Sequence, residues 1–126
     1  MGGSLIDVDA DAIAHWVDAY ERAWTSNDPA EVAALFTDDA SYYTAPHRKP
    51  WVGSDIVKEW LDRKDEPGDW AFRWELLASA GDLSFVRGWT DYAEGTKYHN
   101  LWVIRLAPDG RCSEFTEWFM AENAQG

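Results

Sequence analysis

Cysteine is almost absent from this chain of 126 residues, in which Cys112 is the single example. One cysteine excludes an intrachain disulfide and favours a buried thiol in a reducing compartment, so we expect a cytoplasmic protein. No apolar run approaches the roughly 18 residues of a membrane-spanning helix. The first residues offer neither a basic region nor a long apolar core, and a secretory signal is therefore not expected.

Basic residues are also scarce, with 11 Lys and Arg against 23 Asp and Glu and a formal net charge of −12. This charge repels phosphate backbones and anionic lipid surfaces, so neither nucleic acid nor a membrane is an expected partner. The sequence has no His, Cys and carboxylate spacing of a metal site and no glycine-rich phosphate loop. We therefore expect no metal and no cofactor.

Aromatic residues are abundant, and nine of them are tryptophans. Tryptophan carries a large apolar surface, which suits a protein core, an aromatic-lined cavity or an oligomer interface. The length favours one domain over residues 1–126, with residues 1–8 flexible.

Apolar residues recur at helical spacing three times in the first half of the chain. The first stripe predicts a helix over residues 11–24, and the second predicts a helix that begins at Asp28 and ends near residues 37–39. The third predicts a helix that Ser54 caps. Between the second and third helices, residues 41–46 have the composition of a short strand.

Beyond Pro67 and Gly68 the hydrophobic period changes from 3.6 to two, and turns divide the rest into four strands. Strands joined by short turns form an antiparallel meander. The predicted fold class is therefore α+β, with three helices packed on one face of a strongly curved antiparallel sheet. Such an arrangement forms a cone, whose mouth is a natural ligand pocket.

Two carboxylates are the strongest candidates for chemistry in that pocket. Side chains alternate along a strand, so Glu117 shares a face with Phe115 and Phe119. On an earlier strand, Asp91 shares its face with Trp89. We predict that Asp91 and Glu117 point into one apolar cavity, where one of them keeps its proton and the pair forms an acid and a base. The alternative is an exposed Asp91 and a Glu117 paired with a surface arginine.

Three segments resemble a known family: WVDAYERAWTSNDPAEVAALFTDDASYY, GSDIVKEWL and APDGRCSEFTEWF. They are similar to the SnoaL-like branch of the nuclear-transport-factor-2-like (NTF2-like) superfamily, and the resemblance covers nearly the whole chain. It implies the cone-shaped NTF2-like fold. The superfamily includes isomerases, cyclases, dehydratases, epoxide hydrolases and non-catalytic binders, so the resemblance does not imply a substrate.

The pocket positions partly resemble those of limonene-epoxide-hydrolase-like members. Tyr43, Asp91 and Glu117 keep the residue types of that pattern, whereas Ala45 replaces an amide and Trp89 replaces an arginine. Two of the polar groups that hold the attacking water are thus absent. Epoxide opening is therefore less favoured than isomerisation, cyclisation or dehydration.

The resemblance also implies that Asn100 and its alternate neighbours on the same strand face the pocket. Asn100 or Tyr43 could donate a hydrogen bond to a substrate oxyanion, or the two could bond each other. His47 lies in a proline loop near the expected pocket mouth. The remaining predicted substrate-binding residues are Tyr20, Trp24, Trp60, Trp89, Tyr98, Trp102, Phe115 and Phe119.

These observations predict a cofactor-independent acid–base enzyme of the isomerase, cyclase or dehydratase type, acting on a small apolar and possibly cyclic molecule. The alternatives are a non-catalytic module that binds a hydrophobic ligand, an epoxide-hydrolase-like enzyme with an incomplete site, and a structural dimerisation domain. We also expect a homodimer, because Leu101, Val103 and Trp118 lie on the face opposite the predicted pocket and need a cover.

Overall fold

The computed structural model describes residues 2–66 and 68–122, with side chains from Ala10 onward. Three helices pack on a six-stranded sheet. The helices are α1 (Gly2–Ser26), α2 (Pro29–Ala34) and α3 (Asp55–Asp62). The strands are β1 (Phe36–Tyr43), β2 (Trp51–Val52), β3 (Trp70–Ala80), β4 (Leu83–Tyr92), β5 (Lys97–Leu106) and β6 (Cys112–Ala121). The expected flexibility of residues 1–8 stays a prediction.

All three predicted helices form, although α1 begins at Gly2 and not at residue 11. In α1, Ile13, Trp16 and Tyr20 are buried on one side. The helix ends at Asn27, whose φ of 52° is a left-handed conformation that asparagine tolerates. Asp28 then caps α2 by accepting a hydrogen bond from the backbone N–H of Ala30 at 2.9 Å. Within the described part of the chain, no helix is long and apolar enough to cross a membrane.

The predicted boundaries after α2 are wrong, as is the predicted cap of α3. Helix α2 ends at Ala34 instead of near residues 37–39, and β1 begins at Phe36 instead of at residue 41. Polar residues disguise the start of this strand, although Phe36 and Ala40 are buried. Ser54 precedes α3 without making a side-chain capping hydrogen bond.

The sheet has the strand order β2-β1-β6-β5-β4-β3. Strands β3 to β6 form the predicted antiparallel meander. Strand β1 pairs with β6 in parallel, so the complete sheet is mixed and not purely antiparallel. Trp102, Ile104 and Phe115 on its concave face form the core with the apolar side of α1. The predicted α+β cone is confirmed.

The predicted orientation of β4 is wrong. Val86 and Thr90 are buried on the concave face, and alternation therefore places Trp89 and Asp91 on the convex face. Gly88 shows why: a Cβ atom there would lie 2.5 Å from the ring of Phe72 on β3. Large rings on neighbouring strands fill this part of the concave side, so the middle of β4 contributes the smaller residues Val86, Gly88 and Thr90 to it. Its register with β5 is continuous, without a bulge at Gly88.

Candidate functional site

A cavity of about 460 Å³ opens between the helices and the concave face of the sheet. Its walls come from α1, α3, β1, the ends of β4 to β6 and the segment after α3. Eight of the residues predicted for the site line it: Tyr20, Trp24, Trp60, Tyr98, Asn100, Trp102, Glu117 and Phe119. Their roles in binding or catalysis stay predictions.

Glu117 is the carboxylate that lies deepest in this cavity. Its Oε1 accepts a hydrogen bond from the indole N–H of Trp102 at 2.9 Å, and its Oε2 accepts one from the amide of Asn100 at 2.9 Å. Burial raises the pKa of Glu117 to about 7, and the two donors act in the opposite direction. A carboxyl group with this pKa is present in both protonation states at neutral pH.

Thr90 fixes the orientation of the Asn100 amide. The Thr90 hydroxyl donates a hydrogen bond to Asn100 Oδ1 at 2.8 Å, which leaves the amide N–H groups to face Glu117. Because Thr90 is only 3% exposed, water does not readily replace this bond. Asn100 therefore holds the carboxylate. Its predicted role as a donor to a substrate oxygen stays a prediction.

A pair of tyrosines lies in the same cavity. The hydroxyl oxygens of Tyr20 and Tyr42 are 2.7 Å apart. Burial raises the pKa of both phenols, so both are neutral at physiological pH. One O–H hydrogen forms the bond within the pair, and the other has no protein acceptor among the described residues. The pair can thus donate one hydrogen bond to a molecule in the cavity.

Hydrogen bonds to Asn27 and to Asp65, in the segment after α3, hold three aromatic side chains at the cavity mouth. Asp65 Oδ2 accepts hydrogen bonds from the indole N–H of Trp24 at 3.0 Å and from the hydroxyl of Tyr92 at 3.2 Å. The Asn27 amide donates to the backbone carbonyl of Asp65 at 2.8 Å, and Asn27 Oδ1 accepts from the indole of Trp60 at 3.1 Å. Asn27 and Asp65 therefore set the positions of these rings.

The predicted pairing of Asp91 with Glu117 is wrong. Asp91 is exposed on the convex face, where its Oδ2 lies 3.8 Å from the Lys97 ammonium. Trp89 lies on the same face, beneath the guanidinium of Arg73 at 4.1 Å. The two carboxylates face opposite sides of the sheet because the concave positions of β4 are Val86, Gly88 and Thr90, as described above.

Three further predicted site residues lie outside the cavity wall. Tyr43 alternates with Tyr42, and it is Tyr42 that lines the cavity. His47 is exposed in the loop after β1. Phe115 is fully buried behind the wall, where its ring stacks on Tyr42 with centroids 4.6 Å apart. Its contribution to the site is therefore packing.

The sequence analysis missed several residues that line the cavity. Thr90 and Tyr92 would follow from the correct orientation of β4, and Tyr42 from the correct start of β1. The others lie in irregular segments or at element ends, where no period signals orientation. These remaining residues are Thr44, Trp51, Arg63, Lys64, Asp65 and Glu94.

Among the described residues, no three His, Cys, Asp or Glu side chains gather as metal ligands would. The expected independence from metals and cofactors stays a prediction.

Solved structures with the same fold include enzymes of several kinds. A steroid Δ-isomerase from Pseudomonas aeruginosa matches with a TM-score of 0.61 and 22% identity over 89% of this chain and 79% of that one. An epoxide hydrolase from M. tuberculosis, similar to limonene epoxide hydrolase (LEH-like), matches with a TM-score of 0.59 and 20% identity over 88% of this chain and 84% of that one.

A third match is SalBIII, an epoxide hydrolase/cyclase-like enzyme of pyran ring formation in the polyether salinomycin. Its TM-score is 0.67, with 13% identity over 90% of this chain and 92% of that one. At these identities the structures show a shared fold and not a shared reaction.

The sequence itself matches the profile of the SnoaL-like domain over residues 17–115. A search of curated proteins finds no significant match. The matched region runs from α1 into β6 and includes most of the residues around the cavity. The resemblance seen in the sequence is thus confirmed, and the chain belongs to the SnoaL-like domain family of the NTF2-like fold.

Proposed function

We propose that this protein is a cofactor-independent acid–base enzyme of the isomerase, cyclase or dehydratase type, acting on an apolar, ring-bearing substrate. The observation that carries the proposal is the state of Glu117. It lies in an aromatic cavity, neutral donors hold both its oxygens, and its pKa is raised to about 7. A general base or acid is most effective when its pKa lies near the working pH.

One carboxylate is sufficient for an isomerisation. Ionised Glu117 takes a proton from a carbon next to the substrate carbonyl, and the electron pair of the broken C–H bond moves onto the carbonyl oxygen as an enolate. Glu117 then returns the proton to another carbon of the conjugated system, which regenerates the carbonyl. The carboxylate ends the cycle unchanged, so a second acid such as Asp91 is not required.

The tyrosine pair supplies the donor that an enolate needs. Tyr20 and Tyr42 have one O–H hydrogen free for a molecule in the cavity. A donor already placed where negative charge develops stabilises the transition state. In this proposal the pair takes the role that the sequence analysis assigned to Tyr43 or Asn100, because Tyr43 lies outside the cavity wall and the Asn100 amide already donates to Glu117.

Aromatic walls and size favour a ring-bearing substrate. The volume of about 460 Å³ lies within the common range for small-molecule pockets, roughly 300–1,000 Å³. Trp24, Trp60 and Trp102 present indole rings to the cavity. Flat ring faces gain most from contact with flat apolar molecules.

Proton exchange provides a direct test without a known substrate. A panel of bicyclic ketones, 1-tetralone among them, is incubated with the protein in D₂O, and NMR follows loss of the hydrogens next to the carbonyl. We expect catalysed exchange that rises with pH through about 7, as Glu117 ionises. Glu117→Gln should lower the rate at least ~100-fold.

Asp91→Asn is the matched control, because it removes a carboxylate from the convex face of the same sheet. It should leave the exchange rate unchanged. Equal rates for wild type and Glu117→Gln across the panel would contradict the proposal.

A non-catalytic binding module is the second candidate. It is favoured by the absence of Asp91 from the cavity, which leaves Glu117 without the expected partner. Tight binding of a bicyclic ketone, measured by tryptophan fluorescence and without any exchange of its hydrogens, would support this function. The epoxide-hydrolase-like alternative is weaker, because Ala45, Trp89 and Asp91 all fail to place a polar group in the cavity.

The proposal includes a homodimer in the cytoplasm. On the convex face Trp118 is 50% exposed and Met120 is 68% exposed, close to Leu101 and Val103. Exposed apolar surface of this kind is typical of association sites. Light scattering should give a dimer for the wild type and a monomer for Trp118→Glu, and a wild-type monomer at micromolar concentration would contradict it. The inference that the protein is cytoplasmic rests on Cys112, whose thiol is free and buried.

A further inference from the structure

We propose that the ligand of the cavity is a cation: an apolar, ring-bearing molecule that carries a quaternary or protonated tertiary amine. The proposal rests on the proposed function in placing the ligand beside Glu117, and it adds the charge of the molecule. Three features of the cavity support it: carboxylates without cationic partners, aromatic ring faces, and a strongly acidic chain.

Three carboxylates line the cavity, and each accepts hydrogen bonds from neutral groups. Glu117 accepts from an amide and an indole, and Asp65 accepts from an indole and a phenol. Glu94 accepts from the backbone N–H of Thr96. Among the described residues, none of the three lies within ion-pair distance of a basic side chain.

Several carboxylates elsewhere on the sheet and in its turns lie within ion-pair distance of basic side chains. Glu75 pairs with Arg87, and Asp91 pairs with Lys97. Arg105 lies within ion-pair distance of Asp82, at 2.8 Å. The absence of such partners around the cavity leaves its negative charge available to a ligand.

The ring faces of the cavity favour the same kind of ligand. The π face of an aromatic ring is negative, and tryptophan attracts cations most strongly of the three aromatic side chains. The structure contains one example at this wall, where the guanidinium of Arg63 lies over the ring of Trp51 at 5.4 Å from its centroid. Trp24 and Trp60 also line the cavity, and indole rings attract a ligand ammonium in the same way.

Arg63 and Lys64 are the two basic residues that line the cavity, and both are exposed at its mouth. Solvent and salt screen charges in such positions. Glu117 lies deeper, where the effective dielectric constant is lower and its charge acts more strongly on a ligand. The net charge of −12 also raises the concentration of cations near the whole chain.

The test compares a cation with a neutral molecule of the same shape. 3-(Trimethylammonio)benzyl alcohol and 3-tert-butylbenzyl alcohol differ in one central atom and one charge, and neither titrates near neutral pH. Dissociation constants are measured at pH 8 by calorimetry and by tryptophan fluorescence. We expect the cation to bind the wild type at least ~10-fold more tightly than its neutral counterpart.

Glu117→Gln keeps the shape of the cavity and removes its deepest charge, so the cation preference should fall several-fold. Asp91→Asn, whose charge lies on the convex face, should keep the wild-type preference. Equal or tighter binding of the neutral alcohol to the wild type would overturn the proposal. So would binding of neither probe at millimolar concentration, or a preference that Glu117→Gln leaves unchanged.

The result is independent of the exchange experiment on bicyclic ketones. Proton exchange without a cation preference would overturn the ligand class and leave the proposed acid–base function intact. A cation preference without proton exchange would support the proposed class of ligand. It would count against the proposed acid–base catalysis and not against the ligand.

Discussion

The two faces of the sheet show how differently one side-chain type behaves in two environments. Glu117 on the concave face is held by two neutral donors, and burial raises its pKa to about 7. Asp91 on the convex face is exposed and lies beside Lys97. Both are carboxylates on strands of one meander, with β5 between them, and both have aromatic neighbours in sequence. The face of the sheet therefore determines which of the two carboxylates is buried in the aromatic cavity.

The same contrast applies to the aromatic residues. Trp102 and Phe115 are almost completely buried on the concave face, whereas Trp118 is half exposed on the convex face. Trp89 on that face lies under an arginine and not under a helix. Aromatic character alone therefore does not identify the core side of this sheet, and substitutions on the two faces should have very different costs.

Phe115→Ala against Trp118→Ala is the comparison with the largest expected effect. Phe115 is fully buried and its ring contacts Tyr42 and Trp102, so truncation should lower the free energy of unfolding by about 3–5 kcal/mol. Trp118→Ala should cost less than about 1 kcal/mol within the monomer. Urea denaturation at matched oligomeric state measures both, and equal losses would refute the assignment of the faces.

The free energies of unfolding of Glu117→Gln and Asp91→Asn are expected to depend on pH in different ways. The pKa of Glu117 is raised from 4.5 to about 7, so the unfolded chain loses this proton first as pH rises. Below pH 4.5 the group is neutral in both states and costs nothing. Between these pH values wild-type stability falls, by about 3 kcal/mol in total, and the cost is constant above them.

Gln does not titrate, so the stability of Glu117→Gln relative to wild type should grow between about pH 4.5 and 7 and then level off. Chemical denaturation at several pH values measures this difference. Asp91→Asn should show no such increase over the same range. A flat difference for Glu117→Gln would mean that the carboxyl group is solvated and that the cavity does not raise its pKa.

The fold was predictable because long periodic segments determine it. The stripe of α1 contains Ile13, Trp16 and Tyr20, and these residues are buried as their spacing predicts. The change of hydrophobic period to two beyond Gly68 likewise predicted the strands of the meander. Periodicity is a property of many residues together, so one atypical residue does not hide it.

The orientation of β4 was not predictable from its own residues. Its large side chains, Phe85 and Trp89, lie on the convex face, while Gly88 and Thr90 face the core. The cause lies on another strand, since the ring of Phe72 occupies the space beside Gly88. For this reason the prediction that Asp91 faces the cavity was wrong. The prediction that Glu117 faces it was correct, because Phe115 on the same side of β6 is buried.

The residues at the cavity mouth could not be predicted from the sequence, for a different reason. Asp65 gains its role from hydrogen bonds to Trp24 and Tyr92, which are distant in sequence. It lies in a loop, where no period indicates which way a side chain points. Such contacts follow from the assembled fold and have no local sequence signal.

Thr90→Val tests the concave network with a smaller expected effect. Valine keeps the shape of threonine but leaves Asn100 Oδ1 without its donor, which should cost about 1–2 kcal/mol of unfolding free energy. The less firmly held amide should also raise the pKa of Glu117 further. Carboxyl ¹³C NMR measures that pKa. Thr90→Ser keeps the hydroxyl and should behave like wild type, and equal pKa values in the two variants would contradict the role of Thr90.

The smallest effect is expected on the convex face, for the ion pair of Asp91 and Lys97. Their charged groups are 3.8 Å apart and both side chains are more than half exposed, at 53% and 54%. Exposed pairs of this kind contribute from nothing to about 1 kcal/mol, because water and salt screen them. Asp91→Asn should therefore lower the unfolding free energy by less than about 1 kcal/mol, and the loss should shrink further at 1 M salt.

Lys97→Met provides the matched control, since it removes the other charge of the same pair. A loss of several kcal/mol for Asp91→Asn that salt does not reduce would mean that Asp91 is buried in solution. The convex face would then be covered, and the contrast between the two carboxylates would rest on hydrogen bonding and not on exposure.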